Sequence, residues 1–215
     1  MTPTIELKDC NLVIVANTFN VSIINPVWLF KNNIFTEEEL NGATSLPVMV
    51  DIATETFNLN LIPERLQLSI SPAVENKKEL ILAKIGKLIE ALPHTPFIAA
   101  GLNFTYHVIP EDKDVGSLTR SLFCNTQSQL FEGLEASNVR FGGYISQDVL
   151  DMRYRLEAKP VARTKSKKTQ EVLSISHNFN KNITHDDDHN MVLNIINKWD
   201  DAKEIAQKTT NKIKG

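Results

Sequence analysis

Short stretches in which apolar and polar residues alternate recur along this chain. Leu66, Leu68 and Ile70 alternate with polar residues, which predicts a strand with one buried side and one solvent-facing side. The apolar residues of the next segment recur instead at helical spacing, which predicts an amphipathic helix over about 77–91. Half-buried strands followed by amphipathic helices are typical of an antiparallel sheet covered on one face.

One combination of strand and helix occurs twice. The tetrapeptide Leu-Ser-Ile-Ser stands at Leu68–Ser71 and again at Leu173–Ser176. After the second copy, apolar residues at helical spacing predict a helix over 190–210. The repeat predicts two similar halves, residues 1–110 and 111–215, either as separate units or as one joined domain. The alternative is that two unrelated strand-loop-helix units share a tetrapeptide by chance.

These patterns together predict an α+β protein. We expect an antiparallel sheet from two similar strand-strand-strand-helix halves, with the helices packed on one side. Near the N-terminus, the β-branched residues of Leu12–Val15 and Phe19–Ile24 predict a hairpin. Longer strands are predicted at Phe97–Val108 and Val172–Phe179.

The composition of the chain is typical of a globular protein. The chain has 215 residues, of which 42% are hydrophobic and 23% charged, as in ordinary globular domains. A net charge of −3 gives no general reason to expect binding to nucleic acid or to membranes. No apolar run is long enough to cross a bilayer, and the N-terminus does not resemble a secretion signal. We therefore expect a cytoplasmic protein without membrane contact, in which Cys10 and Cys124 stay reduced.

Three segments of the chain fit one known pattern. They are the Ala-Ala-Gly-Leu-Asn-Phe run of Ala99–Phe104, the segment Val172–Ser176, and a C-terminal helix that carries Trp199 and Ala202. This series resembles a family of uncharacterised bacterial proteins that are distributed sporadically among genomes. The resemblance implies no known reaction, and it points to an accessory protein rather than an enzyme.

The segment His-Asp-Asp-Asp-His at residues 185–189 concentrates potential metal ligands. Imidazole and carboxylate groups of His185, Asp187 and His189 are suitable ligands for a divalent ion, and such a site would suit a metal-dependent enzyme. The alternative is structural. Neighbouring ligands in one loop cannot all converge on one ion, and an aspartate at this place can cap the last helix.

Four basic residues cluster between two predicted strands. Arg163, Lys165, Lys167 and Lys168 would lie at a hairpin tip, where they could contact the phosphates of a nucleic acid. A solvated loop explains the same residues, and the slightly negative net charge favours that interpretation. No aromatic residue stands among them, so stacking on single-stranded bases is not indicated.

No catalytic or cofactor-binding motif is present in the sequence. Glycine-rich phosphate loops are absent, and a Cys–His pair from Cys124 with His107 or His177 has no supporting local motif. We therefore expect no catalytic residues and no cofactor. The main hypothesis is a non-enzymatic binding or assembly protein. It would use a sheet surface or a sheet edge to bind a macromolecular partner or another copy of itself.

Overall fold

The computed structural model describes residues 3–111, 114–125, 127–134, 139–165, 168–184 and 188–213. The strands are β1 (Thr4–Ala16), β2 (Thr44–Leu46), β3 (Met49–Ala53), β4 (Phe57–Ile62), β5 (Arg65–Ile70), β6 (Phe97–Ile109), β7 (Gly143–Val149), β8 (Met152–Lys165) and β9 (Lys168–Asn182). They form one antiparallel sheet in the order β2-β3-β4-β5-β1-β6-β9-β8-β7. The prediction of an α+β protein with a large antiparallel sheet is confirmed.

Of the described α-helices, five lie between strands in sequence and two follow the last strand. They are α1 (Pro26–Lys31), α2 (Glu37–Leu40), α3 (Lys77–Ile81), α4 (Lys87–Glu90), α5 (Val115–Phe123), α6 (Asp188–Asn197) and α7 (Trp199–Thr210). A π-helical segment, Leu82–Gly86, joins α3 to α4, so the helix predicted over 77–91 is continuous. The helix predicted over 190–210 is instead divided between α6 and α7, and Lys198 at the division donates to the carbonyl of Leu150 at 2.7 Å. None of the described helices is long and apolar enough to span a bilayer.

The buried side chains of the sheet occupy alternate positions and face the helices. Trp199 of α7 lies edge-on to Phe104 of β6, with ring centroids 4.9 Å apart. The ring of Phe57 on β4 packs against the ring of Phe35, and their centroids are 5.6 Å apart. Phe35 lies between α1 and α2. Because Trp199 and Phe104 are fully buried, removal of aromatic surface from water at this layer is a main source of stability.

The predicted hairpin of Leu12–Val15 with Phe19–Ile24 is wrong. β1 continues to Ala16 and pairs with β5 on one side and with β6 on the other. Phe19 and Val21 are buried, but they lie in a non-regular segment that follows the strand. Two distant partner strands give β1 a complete set of ladder hydrogen bonds that a short local hairpin could not supply.

The chain follows a similar path through the sheet twice, although the first meander has four strands and the second has three. After β1, the β2–β5 meander brings β5 back beside β1, and a helix follows. After β6, the β7–β9 meander brings β9 back beside β6, and helices again follow. The two Leu-Ser-Ile-Ser copies begin in the returning strands β5 and β9, and β1 pairs with β6 at the centre. β6 of the predicted first half also pairs with β9 of the predicted second half, so the sheet is continuous across the predicted boundary at residues 110 and 111.

Candidate binding surfaces

The face of the sheet opposite the helices, here called the open face, is polar. Asn11 of β1, Asn103 of β6 and Asn178 of β9 stand side by side in the strand register. Asn178 Nδ2 donates to Asn103 Oδ1 at 2.6 Å, and Asn103 Nδ2 donates to Asn11 Oδ1 at 2.8 Å. Asn11 Nδ2 in turn donates to the Asp9 carboxylate at 2.7 Å. This chain of amides fixes the side chains, and each amide keeps a second N–H for another acceptor.

The basic residues of the open face lie mainly on β8 and are largely paired. Nη1 of Arg153 lies 3.1 Å from Oδ1 of Asp148, and Nζ of Lys159 lies 2.9 Å from Oε1 of Glu157. Nη1 of Arg163 lies 2.7 Å from Oε2 of Glu6 on β1. Since each of these cations lies beside an acid, the row carries little uncompensated charge, and it is a weak attractor for the phosphates of a nucleic acid.

A group of polar and charged residues on the open face surrounds a histidine that is shielded from solvent. This His107 cluster comprises His107, Ser174, Arg163, Glu6 and Lys8. His107 is only 8% exposed and Ser174 only 7%, and the two are register partners on the open face. Burial lowers the pKa of His107, and the nearby charges of Arg163 and Lys8 lower it further. The imidazole is therefore neutral at neutral pH.

The two edges of the sheet differ in length and in exposure. β2 has three residues, whereas β7 has seven and pairs only with β8 among the described strands. On β7, Tyr144 is 66% exposed and Ile145 is 52% exposed. The one charged residue of β7, Asp148, is already paired with Arg153. β7 therefore lacks the unpaired charges, prolines and bulges that commonly protect an edge strand.

A second histidine, His177, is buried on the helix-covered face. Its Nε2 lies 2.9 Å from Thr210 Oγ1, and its Nδ1 lies 2.9 Å from the Tyr154 hydroxyl. Thr210 Oγ1 donates to the Ala206 carbonyl, so it accepts from an Nε2–H of His177, and Tyr154 donates to Nδ1. Burial lowers the pKa of His177 to about 4. This network ties α7 to the sheet and has no opening to a substrate, because His177 is 1% exposed.

Three of the four predicted basic residues are described, and they lie on the hairpin of β8 and β9. Arg163 belongs to β8 and is bound to Glu6 on the sheet. Lys165 ends β8 and Lys168 begins β9, and the two are register partners. Lys167 lies outside the described residues. The hairpin that these strands form extends past the last β6–β9 pair, Val108 with Leu173.

Of the predicted metal ligands, only His189 has a described side chain. Its Nε2 lies 3.0 Å from the Leu92 carbonyl oxygen, and its ring lies edge-on to Phe97. His185 and Asp187 lie outside the described residues. In the part of the chain that the structure describes, no group of three or more His, Cys, Asp or Glu residues could hold a metal ion. The metal site stays a prediction that metal analysis of the purified protein would test.

The suggested Cys–His pair does not form with either histidine in the described structure. His107 lies on the open face, beside Glu6 and Ser174 in the register. His177 lies on the opposite face under α7. Cys124 follows α5 and is a partly exposed free thiol.

A groove of about 1010 Å³ lies between α1 and α2. Its apolar lining includes Val27 and Phe30, and its titratable lining residues are Glu37 and Glu38. These two residues begin a short helix whose N-cap, Thr36, forms a capping box with Glu39. The groove therefore has apolar area but no convergent set of acid, base and nucleophile.

Comparison with known proteins leaves the function to be argued from these residues. No family model, no curated protein and no solved structure matches the chain. Sequence reasoning also missed the two surfaces with the most distinctive chemistry, the His107 cluster and the β7 edge. The only sequence signal for the open face was the alternation of polar residues such as Ser174 and Ser176 within apolar strands.

Proposed function

We propose that this protein is a binding or assembly protein rather than an enzyme, and that it associates with a second copy of itself through β7. The observation that supports this function is the exposed edge of β7. Among the described residues, no strand pairs with the outer side of β7, and its apolar side chains Tyr144 and Ile145 are exposed. Such an edge recruits another strand because main-chain hydrogen bonds complete the ladder.

A two-fold pair is compatible with the sequence of β7. If two antiparallel copies cross at Ser146, Ile145 lies opposite Gln147 and Tyr144 lies opposite Asp148. No like charges then face each other, and each aromatic ring can cover a neighbouring backbone. Leu122 and Leu130 are also exposed, and their chain neighbours Phe123 and Phe131 lie close to Gly143 and Phe141 at the start of β7.

Mass measurement by light scattering tests this proposal. We expect the wild-type protein to give about twice the chain mass of 24.2 kDa. Ile145→Lys should give a monomer, because a lysine on an edge strand opposes strand addition. The matched control is Leu46→Lys on the β2 edge, which should remain a dimer. A monomeric wild type, or an Ile145→Lys protein that still dimerises, would contradict the proposal.

Nucleic-acid binding through Arg163, Lys165, Lys167 and Lys168 is a second candidate function. It is favoured by the projection of the β8–β9 hairpin past the end of β6, which puts Lys165 and Lys168 away from the body of the sheet. Binding should then weaken steeply with salt and be lost when Lys165 and Lys168 become Glu. Binding that is unchanged in this double variant would exclude the hairpin as the contact.

We also infer a common origin for the two halves. Each Leu-Ser-Ile-Ser copy begins in the strand that returns beside the first strand of its half, and this similar path through the sheet supports it. The resemblance to a sporadically distributed bacterial family implies an accessory role. We include this role in the same proposal, because an accessory protein can act by assembling with itself.

A further inference from the structure

An ion pair crosses the open face and covers part of it. Arg163 lies on β8 and Glu6 on β1, and β9 and β6 run between them. The three strand spacings of about 4.8 Å amount to roughly 14 Å across the sheet, and Arg163 also lies further along the strands, because it pairs with Gln170 whereas Glu6 is in register with Ser174. The Arg163 and Glu6 side chains nevertheless meet at 2.7 Å. They therefore extend toward each other above the intervening strands, which carry His107 and Ser174.

Two buried nitrogen atoms of this cluster have no hydrogen-bond partner among the described residues. They are Nδ1 of His107 and Nη1 of Arg163. The contact of Nη1 with Glu6 is close enough for an ion pair but does not have hydrogen-bond geometry. Buried polar atoms without partners are rare in folded proteins, and each calls for an explanation.

The charges around these nitrogens are arranged for an anion. Arg163 and Lys8 both act on His107 as positive charges, and Glu6 is the negative charge that balances them. Glu6 is also the more exposed partner, with 40% of its side chain accessible against 13% for Arg163. Its carboxylate thus stands where the oxygens of an external anion would lie.

We propose that the His107 cluster is a binding site for a small oxyanion, a phosphate or carboxylate group, which replaces Glu6 on Arg163. The guanidinium gives the planar pair of donors that such a group prefers. In the tautomer that carries its proton on Nδ1, His107 adds a neutral donor from the floor of the site, as does the Ser174 hydroxyl, and Lys8 adds a second positive charge. When the Glu6 carboxylate moves away from Arg163, the net charge of the cluster becomes more positive, and this favours binding of the anion.

Titration with inorganic phosphate, followed through the NMR signals of the His107 ring and by calorimetry, tests this site. Glu6→Gln should bind phosphate about threefold or more tightly than wild type, because the competing carboxylate is gone. Arg163→Gln should bind about tenfold or more weakly. The control is Arg153→Gln, which breaks a similar ion pair at the other end of β8 and should bind as wild type does.

Acetate in a parallel titration distinguishes the two sources of the oxyanion. Tighter binding of phosphate assigns a phosphate group, and tighter binding of acetate assigns a carboxylate. The proposal is overturned if Glu6→Gln does not bind more tightly, or if Arg153→Gln weakens binding as much as Arg163→Gln. Lys8→Ala should also weaken phosphate binding, because it removes the second positive charge of the cluster. Lys8 is exposed and does not contribute to the core, so this variant checks the site without disturbing the fold. The inference does not depend on pairing through β7.

Discussion

At the scale of single residues, His177 links the stability of the fold to pH. Burial lowers its pKa to about 4, from an ordinary value of 6.5. The unfolded chain therefore takes up a proton as the pH falls below 6.5, while the folded chain stays neutral. Stability is fully present above 6.5 and is lost as the pH falls toward 4. The maximum loss from this residue is about 3 kcal/mol.

Urea unfolding at about pH 7 and about pH 4.5 measures this effect. His177→Gln should be less stable than wild type at neutral pH, because Tyr154 and Thr210 lose their shared partner. It should also lose less stability on acidification. His94→Gln, at an exposed position, should show the full wild-type loss. An equal acid loss in His177→Gln and wild type would assign the pH dependence to other groups.

The chemistry of single residues was only partly predictable from the sequence. The alternation around Leu173 correctly places Ser174 on the opposite side of the strand from the apolar residues. Nothing local reveals that Ser174 lies beside His107 and that His107 lies beside Glu6, because these contacts join distant parts of the chain through the strand register. Register depends on all strands together, so a site built across strands is invisible to a local pattern.

At the scale of elements, two glycines give opposite predictions for substitution by alanine. A Cβ at Gly86, within the helical segment 77–90, would lie 3.8 Å from the Leu193 side chain, an ordinary contact. Gly86→Ala should stabilise the protein by about 0.5–1 kcal/mol, because alanine has the higher helix propensity. A Cβ at Gly142 would lie 2.6 Å from the Ala158 carbonyl oxygen.

Gly142→Ala should therefore destabilise the protein by about 1–3 kcal/mol, since a paired backbone cannot move aside easily. Thermal and urea unfolding of the two variants would measure both effects. If Gly142→Ala matched the wild type, the close approach of this segment to β8 would be refuted. If Gly86→Ala were destabilising, the space between Gly86 and Leu193 of α6 would be too small for a methyl group.

Elements with strong periodicity were predictable, and those shaped by tertiary contacts were not. The strands around Leu68 and Leu173 follow their alternation, and the helix over 77–91 follows its apolar spacing. The segment 19–24 is rich in β-branched and aromatic residues because it is buried, but it forms no strand. The break between α6 and α7 at Lys198 depends on a contact with the distant turn at Leu150, which no helix pattern contains.

At the scale of the whole molecule, pairing of β1 with β6 makes the halves interdependent. The two strands pair over most of their length. A chain cut in the loop at His94 would leave a long unpaired strand edge on each fragment. We expect neither fragment 1–93 nor fragment 94–215 to unfold cooperatively alone, and we expect the mixture to recover the native circular dichroism. A cooperative transition in either fragment alone would show an independent domain.

The short length of β2 sets a limit on how far this protein can polymerise. A long unprotected strand at each lateral end would let copies join head to tail without stopping, as in a fibre. In the proposed dimer, one two-fold contact would occupy the β7 edge of both copies. A further copy would then meet, at the other end of the described sheet, an edge only three residues long. If the dimer forms as proposed, growth by strand addition would therefore terminate at two subunits.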